Sequence, residues 1–350
     1  MVTIGADLHK RSHTLVAVDE SGRKLAERTG SATPAGHLEL LAWATRFPER
    51  RFALEDCRHL SRRLEADLVR AGEAVVRVPP KLMAGARRSG REPGKSDPID
   101  ALAVARAALR EPDLPVARLD GPERELRLLV DHRDDLVKER TAIQNRLRWH
   151  LHELTPGVEP AGRALDRAHV LAALEADLAG RQGIVARIAR ELVIAIRELT
   201  RRITALEREL DGLVRVLAPH TLALQGCGSL GAAKAIGEAA GMLRFRSCAA
   251  FARHNGSAPI PVWSGNSDRH RLNRGGNRQL NLVLHRIAIT QIRVGGPGRA
   301  YFEHRLANGD TRREALRALK RRISDELFRR MRTDEAARAA FAPAALLAAA

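Results

Sequence analysis

Between Val2 and Val78 the apolar residues switch repeatedly from strand-like to helix-like spacing, and this alternation limits the fold more than any other feature of the chain. Val2–Asp7 and His13–Asp19 read as strands, and Ser21-Gly22 turns the chain into a third around Leu25–Thr29. Leu38, Leu41 and Trp43 take near-helical spacing after Pro34, a residue suited to a first helical turn. Arg51–Glu55 is the next strand. Leu60, Leu64, Leu68 and Ala71 form a helical stripe that Gly72 stops, and Ala74–Val78 is a fifth strand closed by Pro79-Pro80. A helix from about Pro98 follows. Strands interleaved with helices in this order predict a mixed sheet with helices packed on it, over residues 1–112.

The pattern then changes. Leu129, Leu136, Ile143, Leu147, Leu151 and Leu154 are spaced for a helix, which Pro156-Gly157 breaks. Ile188, Leu192, Ile196, Leu199, Ile203, Leu206, Leu210, Leu213 and Leu217 form a heptad seam, so residues 113–218 read as a helical coiled-coil module, either an internal hairpin or a subunit seam. Residues 219–335 form a mostly helical C-terminal domain. In it Gly226-Cys227-Gly228 joins two helical stretches, a loop covers Ser257–Asn281, a helix runs from about Leu282 to Ile292, and a basic helix with an apolar stripe spans 311–332. Residues 336–350 are an Ala-rich tail, expected to fray. Trp43 and Trp149 are expected in cores.

Charge narrows the partners. Lysine and arginine number 60 against 42 acidic residues, a net charge of +18 and a pI near 11.1. Neutralising a polyanion's phosphates releases counterions, so a long nucleic acid is the expected partner. No apolar run long enough to cross a membrane exists and no leader pattern opens the chain, so no membrane role is expected. Cys57, Cys227 and Cys248 form no C-x-x-C pair; reduced thiols and a cytoplasmic location follow. Aromatics are 3% of residues, too few for a single-strand stacking platform.

Against this basic background four acids stand out. Asp7 and Glu55 each end an apolar strand, and Asp97 and Asp100 lie three apart in the first helical turn of Lys95-Ser96-Asp97-Pro98-Ile99-Asp100-Ala101. Taken alone, Asp97 as N-cap, Pro98 at N1 and Asp100 at N3 fit ordinary capping. As a set, the four could converge and hold two Mg²⁺ ions about a scissile phosphate. His9 and Lys10 beside Asp7 are either structural or supporting residues. In the C-terminal domain Ser264 precedes Arg269, His270, Arg271, Arg274 and Arg278. A Ser-Gly pair in a loop is usually a turn, but guanidinium groups there would stabilise charge on a phosphate under attack. Gly226 and Gly228 fit a tight turn or a helix-hairpin-helix element binding phosphate through backbone N–H groups.

These residues resemble the RuvC-like branch of the RNase H superfamily. More narrowly, Gly5-Ala6-Asp7-Leu8-His9-Lys10, Glu55 and the Asp97/Asp100 segment resemble the DEDD transposases of insertion-sequence family 110. The likeness continues through the helical middle, Gly226-Cys227-Gly228, Ala258-Pro259, Ser264-Gly265 and Arg274-Gly275-Gly276-Asn277-Arg278-Gln279-Leu280, covering essentially residues 1 to 335. Asp56-Cys57-Arg58 departs from the family pattern, where small residues and a glycine follow the glutamate. The resemblance implies a RuvC/RNase H-like catalytic domain with Mg²⁺ at Asp7, Glu55, Asp97 and Asp100, and Ser264 as a nucleophile that links covalently to DNA. It further implies a site shared between subunits of a homodimer or homotetramer, and a structured bridge RNA as guide. Arg269, Arg271, Arg274, Arg278, Arg321 and Arg322, with Gly226 and Gly228, are then the nucleic-acid contacts. A RuvC-like junction nuclease using water, or a non-enzymatic basic scaffold, are the alternatives.

Overall fold

In the computed structural model, the structure describes residues 1–80, 82–83, 96–111, 113–157, 160–161, 163–264, 267–271, 273 and 275–348. The chain divides into two compact units, Met1–Asp120 and Gly121–Ala350.

The first unit is built on strands β1 (Val2–Leu8), β2 (Ser12–Val18), β3 (Lys24–Ser31), β4 (Arg50–Glu55) and β5 (Val75–Val78), with helices α1 (Pro34–Ala44), α2 (Arg58–Arg70) and α3 (Asp97–Arg110). The sheet order is β3-β2-β1-β4-β5; β2 is antiparallel to β1 and β3, whereas β4 is parallel to both β1 and β5. The mixed sheet is thus the one that the sequence pattern predicts. Alternation along β1 divides its side chains between two layers. Ile4, Ala6 and Leu8 share a core with Leu40 and Trp43 of α1 and Leu64 and Leu68 of α2. On the opposite face Ala101, Leu102 and Ala105 of α3 pack with Val16 and Val18, and Ala103, Val104 and Ala107 pack with Ala53 and Val78. The edge strand β3 is mostly exposed and carries Lys24, Glu27 and Arg28, charges that discourage pairing with another chain.

The second unit contains α4 (Pro122–Leu154), a short 3-10 turn (Ala164–Asp166), α5 (Ala168–Ala179), α6 (Ile184–Leu217), α7 (Pro219–Leu222), α8 (Ser229–Ala239), α9 (Cys248–His254), strands β6 (Ile260–Ser264) and β7 (Ser267–Arg271), α10 (Arg278–Val294), α11 (Pro297–Ala307) and α12 (Arg312–Ala348). Helices α4 and α6 are antiparallel partners. Leu126 and Val130 pack near Leu210 and Val214, while Leu136, Ile143, Leu147 and Leu151 share a second core with Val193, Ile196, Leu199 and Ile203. Arg133 pairs with Glu207 and Arg140 donates to Thr200 Oγ1 along the same seam. The heptad stripe therefore closes inside one chain as a hairpin. The first of these cores also holds α8, α10 and α12 residues such as Ile236, Leu284 and Leu327, which joins the middle helices to the C-terminal ones.

Several expectations are corrected. The Ser257–Asn281 loop contains the β6–β7 hairpin. The Ala-rich tail continues α12 as helix to Ala348. Trp149 is 74% exposed rather than in a core, while Trp43 is buried. Trp149 lies at the α4 surface, edge-on to His152.

Candidate metal centre and serine hairpin

Local sequence sets where the acids stand. Asp7 is the penultimate residue of β1, opposite Thr14 on β2, and not the strand's last residue. The parallel pairing of β1 with β4 runs to Ala6–Leu54, so Asp7 and Glu55 follow in step on neighbouring strands about 4.8 Å apart. Both continue the strand faces of Gly5 and Ala53, the faces turned toward α3. Gly5 is what lets α3 come so close. A Cβ built on it would lie 2.2 Å from the Ala101 carbonyl oxygen and 2.4 Å from the Ala105 nitrogen. Asp100 immediately precedes Ala101 and is buried, 8% exposed. The N-cap of α3 is Ser96, one residue earlier than expected, so Asp97 is the first helical residue.

Electrostatics agree with this geometry. Burial pushes the Asp7 carboxyl above the usual carboxylate range; His9 opposes the shift, and the charges of Asp100 and Asp97 add to it. The thiol of Cys57 is pushed up to about 11 by burial and by Glu55, Asp56 and Asp7, which places Glu55 and Asp7 in one electrostatic neighbourhood. The tightest group is not the set of four acids. Ligand atoms of Asp7, His9 and Asp97 lie within 4.8 Å of one another. His9 Nε2 is 3.1 Å from Asp7 Oδ2 and 3.3 Å from Asp97 Oδ1. Of the two roles open to His9 from its place beside Asp7, structural or supporting, these distances favour the supporting one. The signal for it was the i, i+2 spacing from Asp7, which keeps one face at a strand end.

Among the C-terminal residues, Ser264 ends β6 and its backbone pairs with Ser267, while Ile260 pairs with Arg271 at the hairpin's foot. Lys95, Gly265 and Arg274 lie outside the described residues. Arg269 sits on β7 opposite Val262. Arg271 and Arg278 are exposed, the latter opening α10 behind the N-cap Asn277. Arg321 is ion-paired with Asp325, and the Arg322 guanidinium lies 4.3 Å above the Tyr301 ring. Gly226 has φ of +85°, and a Cβ there would lie 3.0 Å from the Ile287 carbonyl oxygen of α10; this glycine serves close packing. Gly228 is the exposed N-cap of α8. Beside it, Ser229 Oγ donates to Asp211 Oδ1, so an acid already occupies that helix start. Among the described residues no helix is long and apolar enough to cross a membrane.

Two family models match this chain, in separate segments. A DEDD insertion-sequence-110 transposase model, described as "Transposase", matches residues 4–156, and a model described as "Transposase IS116/IS110/IS902 family" matches residues 220–303. The uncharacterized 44.8 kDa protein of insertion element IS116 from Streptomyces clavuligerus is 27% identical over 378 residues, covering 95% of this chain and 94% of that one. The uncharacterized 42 kDa protein of insertion element IS900 from Mycobacterium paratuberculosis is 27% identical over 381 residues, covering 95% and 96%. Among solved structures, T. thermophilus RuvC in complex with a Holliday junction substrate aligns with 33% of this chain and 99% of its own, at 18% identity and a TM-score of 0.27.

Proposed function

Because this chain belongs to the IS110 family of DEDD transposases, we propose that it cuts and rejoins double-stranded DNA to move an insertion sequence. The observation that carries the reading is the placement of Asp7 and Glu55 in step on parallel strands, beneath the helix start that bears Asp97 and Asp100. A buried carboxyl crowded by like charges fits a bound cation, and a donor set made almost wholly of oxygen suits Mg²⁺. Asp7, Glu55, Asp97 and Asp100 would hold it. Bound Mg²⁺ supplies Lewis-acid stabilisation of charge building on phosphate oxygens.

Ser264 is the proposed nucleophile. Its hydroxyl oxygen bonds to the scissile phosphorus as the bond to the departing sugar oxygen breaks; the serine proton ends on that oxygen, leaving a free hydroxyl. Attack by another strand's hydroxyl reverses the step and releases the serine. Arg269, Arg271, Arg274 and Arg278 would neutralise the phosphate charge near it, and Arg321 and Arg322 would extend the basic surface along α12. Gly228 offers a backbone N–H to a phosphate, with Asp211 as its competitor, while Gly226 acts through packing. In this reading the serine of one subunit completes the carboxylate site of another in a homodimer or homotetramer, and a structured bridge RNA selects the DNA.

Asp7→Ala and Asp100→Ala test the metal assignment. Each should keep its circular dichroism spectrum and its DNA binding and lose divalent-dependent strand cleavage. Cleavage by either folded variant at near wild-type rate overturns it.

A further inference from the structure

Two cavities in the C-terminal unit, of about 690 and 520 Å³, share Gly256, Asn273, Asn281 and Lys320. Both open on one lysine. The Lys320 ammonium donates to Asn281 Oδ1, and Asn281 Nδ2 donates to the Asn255 carbonyl oxygen at 2.9 Å. The buried Asn255 amide in turn donates to Ser324 Oγ at 2.8 Å. This chain of hydrogen bonds fixes the Asn281 amide, so the lysine is held by a neutral acceptor. It has no carboxylate partner among the described residues.

The two acids on the larger cavity's lining are engaged elsewhere: Asp310 accepts from Arg305, and Glu314 accepts from the backbone and hydroxyl of Thr311. Arg271 and Arg278 add exposed cations to the two linings. Ser257 Oγ is buried on the same lining with no hydrogen-bond partner among the described residues. Burial lowers the pKa of Lys320, and burial together with Lys320 lowers that of His285 beside it. A desolvated cation without a counter-charge is costly, and an arriving anion offsets that cost.

We propose that this cleft takes the phosphodiester backbone of the DNA strand attacked at Ser264, with Lys320 clamping one phosphate. DNA is favoured because the cleft begins at the foot of the serine hairpin. Arg271 lines it, and the β7 register puts Arg271 four residues from Ser267, the partner of Ser264. Four residues of strand span about 13 Å. That is roughly four nucleotide steps of a duplex strand at about 3.4 Å each. The proposal rests on the reading of the chain as a DNA transposase.

Binding of a DNA duplex is measured against salt concentration for the full-length wild type, Lys320→Gln and Lys320→Arg. Lys320→Gln should lower the slope of log affinity against log salt by about 1, and Lys320→Arg should restore it. An unchanged slope in a folded Lys320→Gln variant overturns the proposal. Acylation of wild-type lysines gives a second reading free of folding effects: Lys320 should be protected by DNA, and equal labelling with and without DNA also overturns it. Loss of slope with a structured RNA but not with DNA assigns the cleft to RNA and overturns the DNA clamp. These outcomes are separable from the transposase reading. Absent strand cleavage with a Lys320 slope effect removes the reading alone, and normal cleavage without that effect removes the clamp alone.

Discussion

The carbonyl oxygen of Ala101 lies 2.2 Å from where a Cβ on Gly5 would stand, so the helix bearing Asp97 and Asp100 rests directly on the strand bearing Asp7. Neither residue carries chemistry, yet together they set the distance between two halves of the acid cluster. Any side chain at position 5 must push α3 off β1.

Gly5→Ala should therefore cost stability and activity together. Overpacking of this kind typically costs about 1–3 kcal/mol. Because the clash is with backbone, relief requires α3 to shift and carry its acids with it. A thermal melt should show a lower midpoint for the variant, and strand cleavage should fall further than the loss of folded protein explains. Wild-type cleavage by this variant would show that the close approach does not set the site.

His13 makes the first unit sensitive to acid. It is 2% exposed on β2, ring-stacked with His37 at 5.2 Å, and its Nδ1 has no hydrogen-bond partner among the described residues. Burial, then the neighbouring His37, lowers its pKa to about 4 from an unfolded value of 6.5. Since the folded value is the lower one, the unfolded chain binds the proton first. Stability is full above pH 6.5 and is lost as pH falls from there to about 4. The loss from this one group is at most about 3 kcal/mol. His13→Leu should flatten that part of the pH–stability curve, measured by urea unfolding between pH 7 and 4; an unchanged slope would remove His13 as its source.

Leu199 and Ile194 separate an internal seam from an outer face. Leu199 is 5% exposed in the α4–α6 core, and Ile194 is 53% exposed on the same helix. Leu199→Asp buries an unpaired charge and should cost about 3–5 kcal/mol, with loss of helical signal. Ile194→Asp should leave the melt nearly unchanged. If Leu199→Asp instead folds normally and only alters sedimentation, the seam joins subunits.

Much of the first unit was legible because Gly, Pro and charge separate its apolar runs, and burial on one or both faces pins each strand's register. Its element ends slipped by a residue, as at Ser96, where serine and aspartate are equally good caps. The seam of α6 was legible, but its partner was not: the same heptad spacing serves an internal hairpin and a dimer. Strands β6 and β7 escaped because Pro261 reads as a breaker and Ser267-Asp268-Arg269-His270-Arg271 has no apolar alternation. At the candidate site, the acids stand out through their charge in a basic chain, whereas His9 beside Asp7 reads equally as structural or supporting until its distances to Asp7 and Asp97 are known. Trp149 misled because an isolated tryptophan on a helix carries no sign of which face it occupies.

Wild-type protein, incubated with element-end DNA and Mg²⁺ and quenched in denaturant, is digested and its DNA-linked peptide sequenced by mass spectrometry, alongside recombination assays of wild type and Ser264→Ala. A phosphoseryl link at Ser264, with binding retained and recombination lost in Ser264→Ala, is the expected result. Full recombination by Ser264→Ala would contradict it, and would leave Ser264 as the last residue of β6 with no chemical role.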